Sequence, residues 1–130
     1  MLGSILASIL IAHGIGDYWV QTEHQATAKG LPGWVGRRAC LAHVATYTLT
    51  IAAALAAVST TQHIPLNPWR VVAGLAVSAV THYIADRRTP LRRLAIATGK
   101  DAGWIDGGGL AHLDQMWHGG WLLVSAITII

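Results

Sequence analysis

A single cysteine, Cys40, excludes an internal disulfide and any cysteine-based metal motif. Its residue type packs as a small apolar side chain, and its place at the start of an apolar run fits that role. Charge is equally scarce. Only 12% of the 130 residues are charged, where a soluble domain would carry about 25%. Phenylalanine is absent, and the aromatic side chains are six tryptophans and three tyrosines. No glycine-rich phosphate loop, basic arm or aromatic ladder is present, so nucleic acid is not an expected partner. What remains is dominated by apolar residues, at 53% of the chain with a mean hydropathy of +0.46. That balance points to one membrane domain whose apolar faces meet lipid. The Trp-rich aromatic content suits the membrane–water boundary, where a ring can sit in lipid with its polar atom in water.

Four apolar runs, about 2–22, 39–61, 69–86 and 110–130, each approach the ~20 residues needed to cross a ~30 Å hydrocarbon core. The expected fold is therefore all-α, a bundle of four transmembrane helices forming a single domain over 1–130. The first run has no basic segment ahead of it and carries His13 and Asp17 late, so it reads as a retained helix rather than a signal peptide. Pro65 and Pro68 punctuate a short link between the second and third runs. Glu23–Arg38 reads as a polar loop. Arg87–Gly109 is the longest connection, with one short amphipathic turn around Leu91–Thr98 suited to a membrane surface.

Eight of the nine basic residues, Lys29, Arg37, Arg38, Arg87, Arg88, Arg92, Arg93 and Lys100, fall in those two longer loops, and only Arg70 lies on the other side. Positive charge favours the cytoplasmic side. The expected location is a bacterial inner membrane, with both loops in the cytoplasm and both termini outside it.

Within these runs the ionisable residues follow one pattern. His13-x3-Asp17, His82-x3-Asp86 and Asp114-x3-His118 are each spaced by about one helical turn, and His43 opens the second run. With alternating spans, all seven fall near the cytoplasmic face. The reversed order in the fourth run keeps His deeper and Asp shallower, because that helix points the other way. Imidazole and carboxylate in one place suit a divalent metal, zinc first, with iron, manganese or nickel as alternatives. Helical bundles build such sites from one-turn pairs. Seven candidate ligands (His13, Asp17, His43, His82, Asp86, Asp114, His118) allow one ion or two, with some carboxylates orienting His rings instead. Asp17 or Asp114 is the expected general base. Gln21, Gln115, Arg87 and Arg88 are the expected substrate contacts, the arginines through a lipid phosphate. A metal-free polar network or proton relay uses the same residues. Trp19, Trp117, Trp121, Tyr18 and Tyr83 are expected at the cytoplasmic interface, while His24, His63 and His112 fall outside the constellation.

His13-x3-Asp17-Tyr18-x2-Gln21, His43, His82-x3-Asp86 and Asp114-Gln115-x2-His118 together resemble the small bacterial and phage membrane proteins grouped as domain of unknown function 3307. The likeness runs across nearly the whole chain and implies a four-helix membrane protein with a polar site. It implies no substrate. From the residues, the leading expectation is a metal-dependent hydrolase acting on a lipid or lipid-linked substrate at the cytoplasmic leaflet. The alternative is a non-enzymatic membrane protein, such as a small transporter, a channel, or a holin-like or exclusion factor of a phage. Homo-oligomers are compatible with either.

Overall fold

Long apolar runs punctuated by prolines and caps produce four long helices and three short ones in the computed structural model, which describes every residue from Met1 to Ile130. Helix α1 (Leu2–Ile15) continues into a wide π turn, Gly16–Val20. Helix α3 (Gly33–Thr61) follows the short α2 (Glu23–Ala28), and α4 (Pro68–Asp86), α5 (Thr89–Ala97), α6 (Ala102–Trp104) and α7 (Leu110–Ile129) complete the order. A second π turn, Ile105–Gly109, leads directly into α7.

The starts have identifiable causes. Asn67 caps α4 by accepting from the Trp69 and Arg70 amides, and Pro68 fills the first turn, where no N–H is needed. Thr22 and Gln25 form a reciprocal capping box on α2. The segment read as a polar loop, Glu23–Arg38, is thus largely helical. It holds α2, and α3 begins at Gly33, six residues ahead of the apolar run at 39. A strong local cap and the stop at Pro32 outweigh polar composition there. Likewise the amphipathic turn expected near Leu91–Thr98 is a nine-residue helix that buries Leu91 and Ala95.

The long helices pack as a ring, with α1 against α3, α3 against α4, α4 against α7 and α7 back against α1. Small residues bring α4 and α7 closest. Ser125 Oγ donates to the Gly74 carbonyl at 2.7 Å, and a Cβ at Gly74 would stand 2.5 Å from Ile129 Cγ1. One end of the ring is closed by an apolar core that includes Ile5, Ile9, Ile51, Leu55, Leu122 and Ile129. The other end buries polar groups, among them His13, Asp17, His43, His82, Asp86 and His118.

The outside is apolar. Ile11, Leu49 and Met116 are 66%, 69% and 72% exposed, and Leu10, Val72, Val80 and Ile127 are exposed with them. Hydroxyls on α3 need no solvent, because Thr48 and Thr50 donate to the carbonyls one turn back at 2.7 and 2.9 Å. Leu2–Val20 and Gly33–Thr61 are long and apolar enough to cross a membrane. Helices α4 and α7, at 19 and 20 residues, match the first of these in length.

Candidate metal centre

The π turn after Ile15 is the first device that builds the site. An α-helix widened by one residue over Gly16–Val20 re-aims the side chains that follow, a local change common at functional positions. Asp17 sits at its start and is 9% exposed. Gly16 makes room, since a Cβ there would lie 3.1 Å from the Tyr47 ring.

Asp17, His43, His82 and Asp86 converge from three helices. His43 Nε2 and His82 Nε2 stand 3.0 Å apart. Asp17 Oδ1 lies 3.3 Å from the first and 3.5 Å from the second. Asp86 Oδ2 lies 3.3 and 3.1 Å from the same two atoms. Two triangles of donor atoms therefore share the His43–His82 edge.

Hydrogen bonds alone cannot satisfy this arrangement. A neutral imidazole has one N–H. If one Nε2 donates to the other, neither ring keeps an Nε2–H for the two carboxylate oxygens; if both Nε2 atoms carry protons, two N–H groups face each other across 3.0 Å. Asp17 Oδ1 and Asp86 Oδ2 accordingly have no hydrogen-bond partner of acceptable geometry, although both are buried. Neighbouring donors around one cation at ~2.0–2.2 Å are separated by roughly 2.8–3.6 Å. The spacings within each triangle lie in that range, so each set of three fits a divalent cation. The Nδ1 atoms of His43 and His82 meet no acceptor in the chain, so what faces Nε2 sets each tautomer.

Deeper in the bundle, three imidazoles form a layer. The His13 and His118 ring centroids are 4.8 Å apart, and those of His82 and His118 4.2 Å. Tyr47 floors the layer, 3.8 Å from the His82 ring, with its hydroxyl bonded to Ser78 Oγ at 2.8 Å. His13 Nε2 is 3.7 Å from Asp17 Oδ2, and His118 Nε2 is 3.4 Å from Asp114 Oδ2. Three sets, His13–His82–His118, Asp17–His43–His82 and Asp86–Asp114–His118, each hold their donor atoms within 4.8 Å of one another. All seven residues singled out by spacing thus gather at one end of the bundle, imidazoles deeper and carboxylates nearer the loops.

Gln21 Nε2 donates to the Asp17 carbonyl at 3.0 Å, and its buried Oε1 is unpartnered. Gln115 Nε2 donates to Asp114 Oδ2 at 3.3 Å. Arg87 donates to the carbonyls of Lys29 at 2.6 Å and Leu31 at 2.7 Å, so its guanidinium ties down the α2–α3 link. Arg88 lines a cavity of about 460 Å³ beside Lys29, Asp86 and Asp114. Trp19 is 86% exposed, whereas Trp117 is half-buried and donates its Nε1–H to the Thr81 carbonyl at 3.0 Å.

Lys29 is the site residue that sequence reasoning missed. Its Nζ lies 2.8 Å from Asp86 Oδ1, so one carboxylate faces the ammonium with one oxygen and the imidazoles with the other. The available signal was the Thr22-x2-Gln25 capping box, which makes α2 a fixed helix that delivers the lysine. Outside the cluster, Arg92 grips Asp106 with two bonds of 2.8 Å. Those hydrogen bonds hold the Asp106 carboxyl below the usual carboxylate range.

No curated protein and no solved structure matches this chain. A family profile does match, over residues 5–129, which takes in all but the first three residues of the four long helices and every residue of the cluster. The chain belongs to the DUF3307 family, proteins of unknown function.

Proposed function

We propose that this protein is a membrane-embedded, metal-dependent hydrolase acting on a lipid or lipid-linked ester at the cytoplasmic leaflet. The observation that carries the reading is the pair of buried carboxylate oxygens, Asp17 Oδ1 and Asp86 Oδ2, left without hydrogen-bond partners around the His43–His82 contact. Four spans in a bacterial inner membrane, with the basic loops inside, put this cluster near the cytoplasmic surface. The exposed apolar exterior supports that placement, because a surface of this kind is stable only against lipid or protein.

His43, His82, Asp17 and Asp86 would hold the ion, with His13 and His118 adjoining it. A bound divalent ion supplies Lewis acidity and makes a water acidic enough to ionise near neutral pH. Asp114 is the proton acceptor of the pair singled out by sequence. It reaches the cavity, its side chain is 25% exposed, and Gln115 steadies it. Asp17, enclosed by three imidazoles, is the poorer base and the better ligand. Hydrolysis adds water across the ester: the water oxygen bonds to the acyl or phosphoryl centre, the ester bond breaks, and a proton reaches the leaving oxygen. The apolar core at the far end of the ring offers no polar path for a conducted ion, which favours chemistry over transport.

Metal analysis of protein purified in detergent tests the reading. Wild type should retain about one equivalent of a divalent metal after dialysis, and His82→Ala should retain little. Asp114→Asn should keep the metal and lose turnover of a lipid extract followed by mass spectrometry. Equal and negligible metal in wild type and His82→Ala would refute it.

A further inference from the structure

Arg88 has a backbone that arginine does not readily adopt. Its φ is 57° and ψ is −50°, and the Thr89 amide reaches the Arg87 carbonyl at 2.6 Å. Together these make a three-residue γ-turn of the rare, strained hand. The cause is local. Helix α4 ends at Asp86 and α5 begins at Thr89, and Pro90 restricts the residue before it, so two residues must reverse the chain. Glycine would meet that demand without a Cβ penalty. The other non-glycine residue at positive φ is His63, at 51°, in an exposed loop. Arg88 instead lies at the mouth of a buried polar cluster.

Its side chain is seated. A Cβ at Gly30 would come 2.8 Å from Arg88 Cδ and 3.0 Å from Nε, so the arginine stem lies across a position with no side chain of its own. The seat delivers it to the cavity lined by Lys29, Asp86, Asp106 and Asp114, with Ile105 and Leu110 as apolar wall. Lys29 is neutralised by Asp86, and Asp106 by Arg92. Arg88 makes no ion pair, which leaves it the unpaired cation of the cavity. Strained backbone around a positioned side chain is a pattern of binding sites.

We propose that Arg88 binds the phosphate of a phosphorylated amphiphile and holds it against the His/Asp cluster, an inference that rests on the hydrolase reading and narrows its substrate to phosphate esters. Guanidinium offers several N–H donors to phosphate oxygens. The amphiphile is favoured over free phosphate by the apolar wall and by the adjoining surface. Leu94 and Ile96 of α5, the helix that Arg92 ties to the cavity residue Asp106, are exposed, as is Trp104, whose neighbour Ile105 lines the cavity; such a surface suits a helix lying in a membrane interface.

The test uses the full chain in a neutral maltoside detergent, with metal content measured on every sample. Dihexanoyl phosphatidic acid, dihexanoylglycerol and inorganic phosphate are titrated by calorimetry. Wild type should bind the phosphatidic acid saturably and dihexanoylglycerol not at all, with inorganic phosphate weaker than the lipid. Arg88→Gly and Arg88→Gln should bind phosphatidic acid roughly tenfold to a hundredfold more weakly, with metal content unchanged. Arg88→Gly should also melt a few degrees higher than Arg88→Gln, because it alone relieves the turn. Wild-type affinity in both variants would overturn the inference, as would equal binding of dihexanoylglycerol. Inorganic phosphate binding as tightly as the lipid would overturn the amphiphile. Absence of metal from wild type would instead sink the reading beneath it, whatever the variants do.

Discussion

Asp86 and Asp17 look equivalent as ligands but should behave differently once neutralised. Asp86→Asn removes a charge that faces Lys29 Nζ at 2.8 Å, with the two side chains only 4% and 12% exposed. Asp17 has no lysine partner and meets imidazoles only. Breaking a buried pair from one side costs about 3–5 kcal/mol. Lys29 retains some access to water, so the expected cost of Asp86→Asn in metal-free protein is nearer ~2 kcal/mol. For a chain of this length that is a fall in Tm of roughly 5–10 °C. Asp17→Asn should leave the metal-free Tm within about 2 °C of wild type, since it removes an oxygen that no donor satisfies. Both variants should lose metal. The assay is thermal unfolding of chelator-treated protein in detergent, run on Asp86→Asn, Asp17→Asn, Lys29→Met and the Lys29→Met/Asp86→Asn double variant. The double variant should recover most of the Asp86→Asn loss, a coupling of about 2 kcal/mol. Equal melting of the two single Asp variants, or strict additivity in the cycle, would refute the reasoning.

Gly74→Val should destabilise the α4–α7 pair by about 1–3 kcal/mol, because its Cβ would meet Ile129 and stand 3.0 Å from the Ser125 carbonyl oxygen; thermal unfolding checks this, and Gly3→Val, where nothing lies within 4 Å, is the control. The Arg92–Asp106 pair should titrate as a depressed carboxylate. Its contribution to stability is present above the ordinary Asp pKa and is lost as pH falls through the lower, folded-state value. NMR titration of the Asp106 carboxyl carbon should show the depression, and Arg92→Gln should abolish it.

The cluster was legible because its signal is written in spacing. One-turn His/Asp pairs placed late in one run and early in the next can meet only if adjacent helices alternate in direction, and the reversed Asp114-x3-His118 order keeps the depth constant. Lys29 was not legible for a different reason. A lysine in a loop of basic residues reads as an orientation signal, and its contact with Asp86 depends on two tertiary details: the capped α2 turn and the Arg87 clamp on the Lys29 carbonyl. Trp117 was similarly ambiguous, since an aromatic in the first half of an apolar run reads as an interfacial anchor until the Thr81 carbonyl is found opposite it. The π turns have no periodic signature. The one at Gly16–Val20 widens the helix by a residue inside an apolar run, which is why that run read as a plain helix.

The lysine at the loop edge also sets how much positive charge the pocket can accept. Asp17, Asp86 and Asp114 bring three negative charges when ionised, and the ammonium of Lys29 cancels one. With neutral imidazoles, a single dication makes the inventory electroneutral, whereas a second would leave an excess of two in a poorly solvated place. On the proposed reading, loading would therefore be self-limiting at one dication, and a bound monoanion would fall to the Arg88 guanidinium rather than to the ion's own ligands.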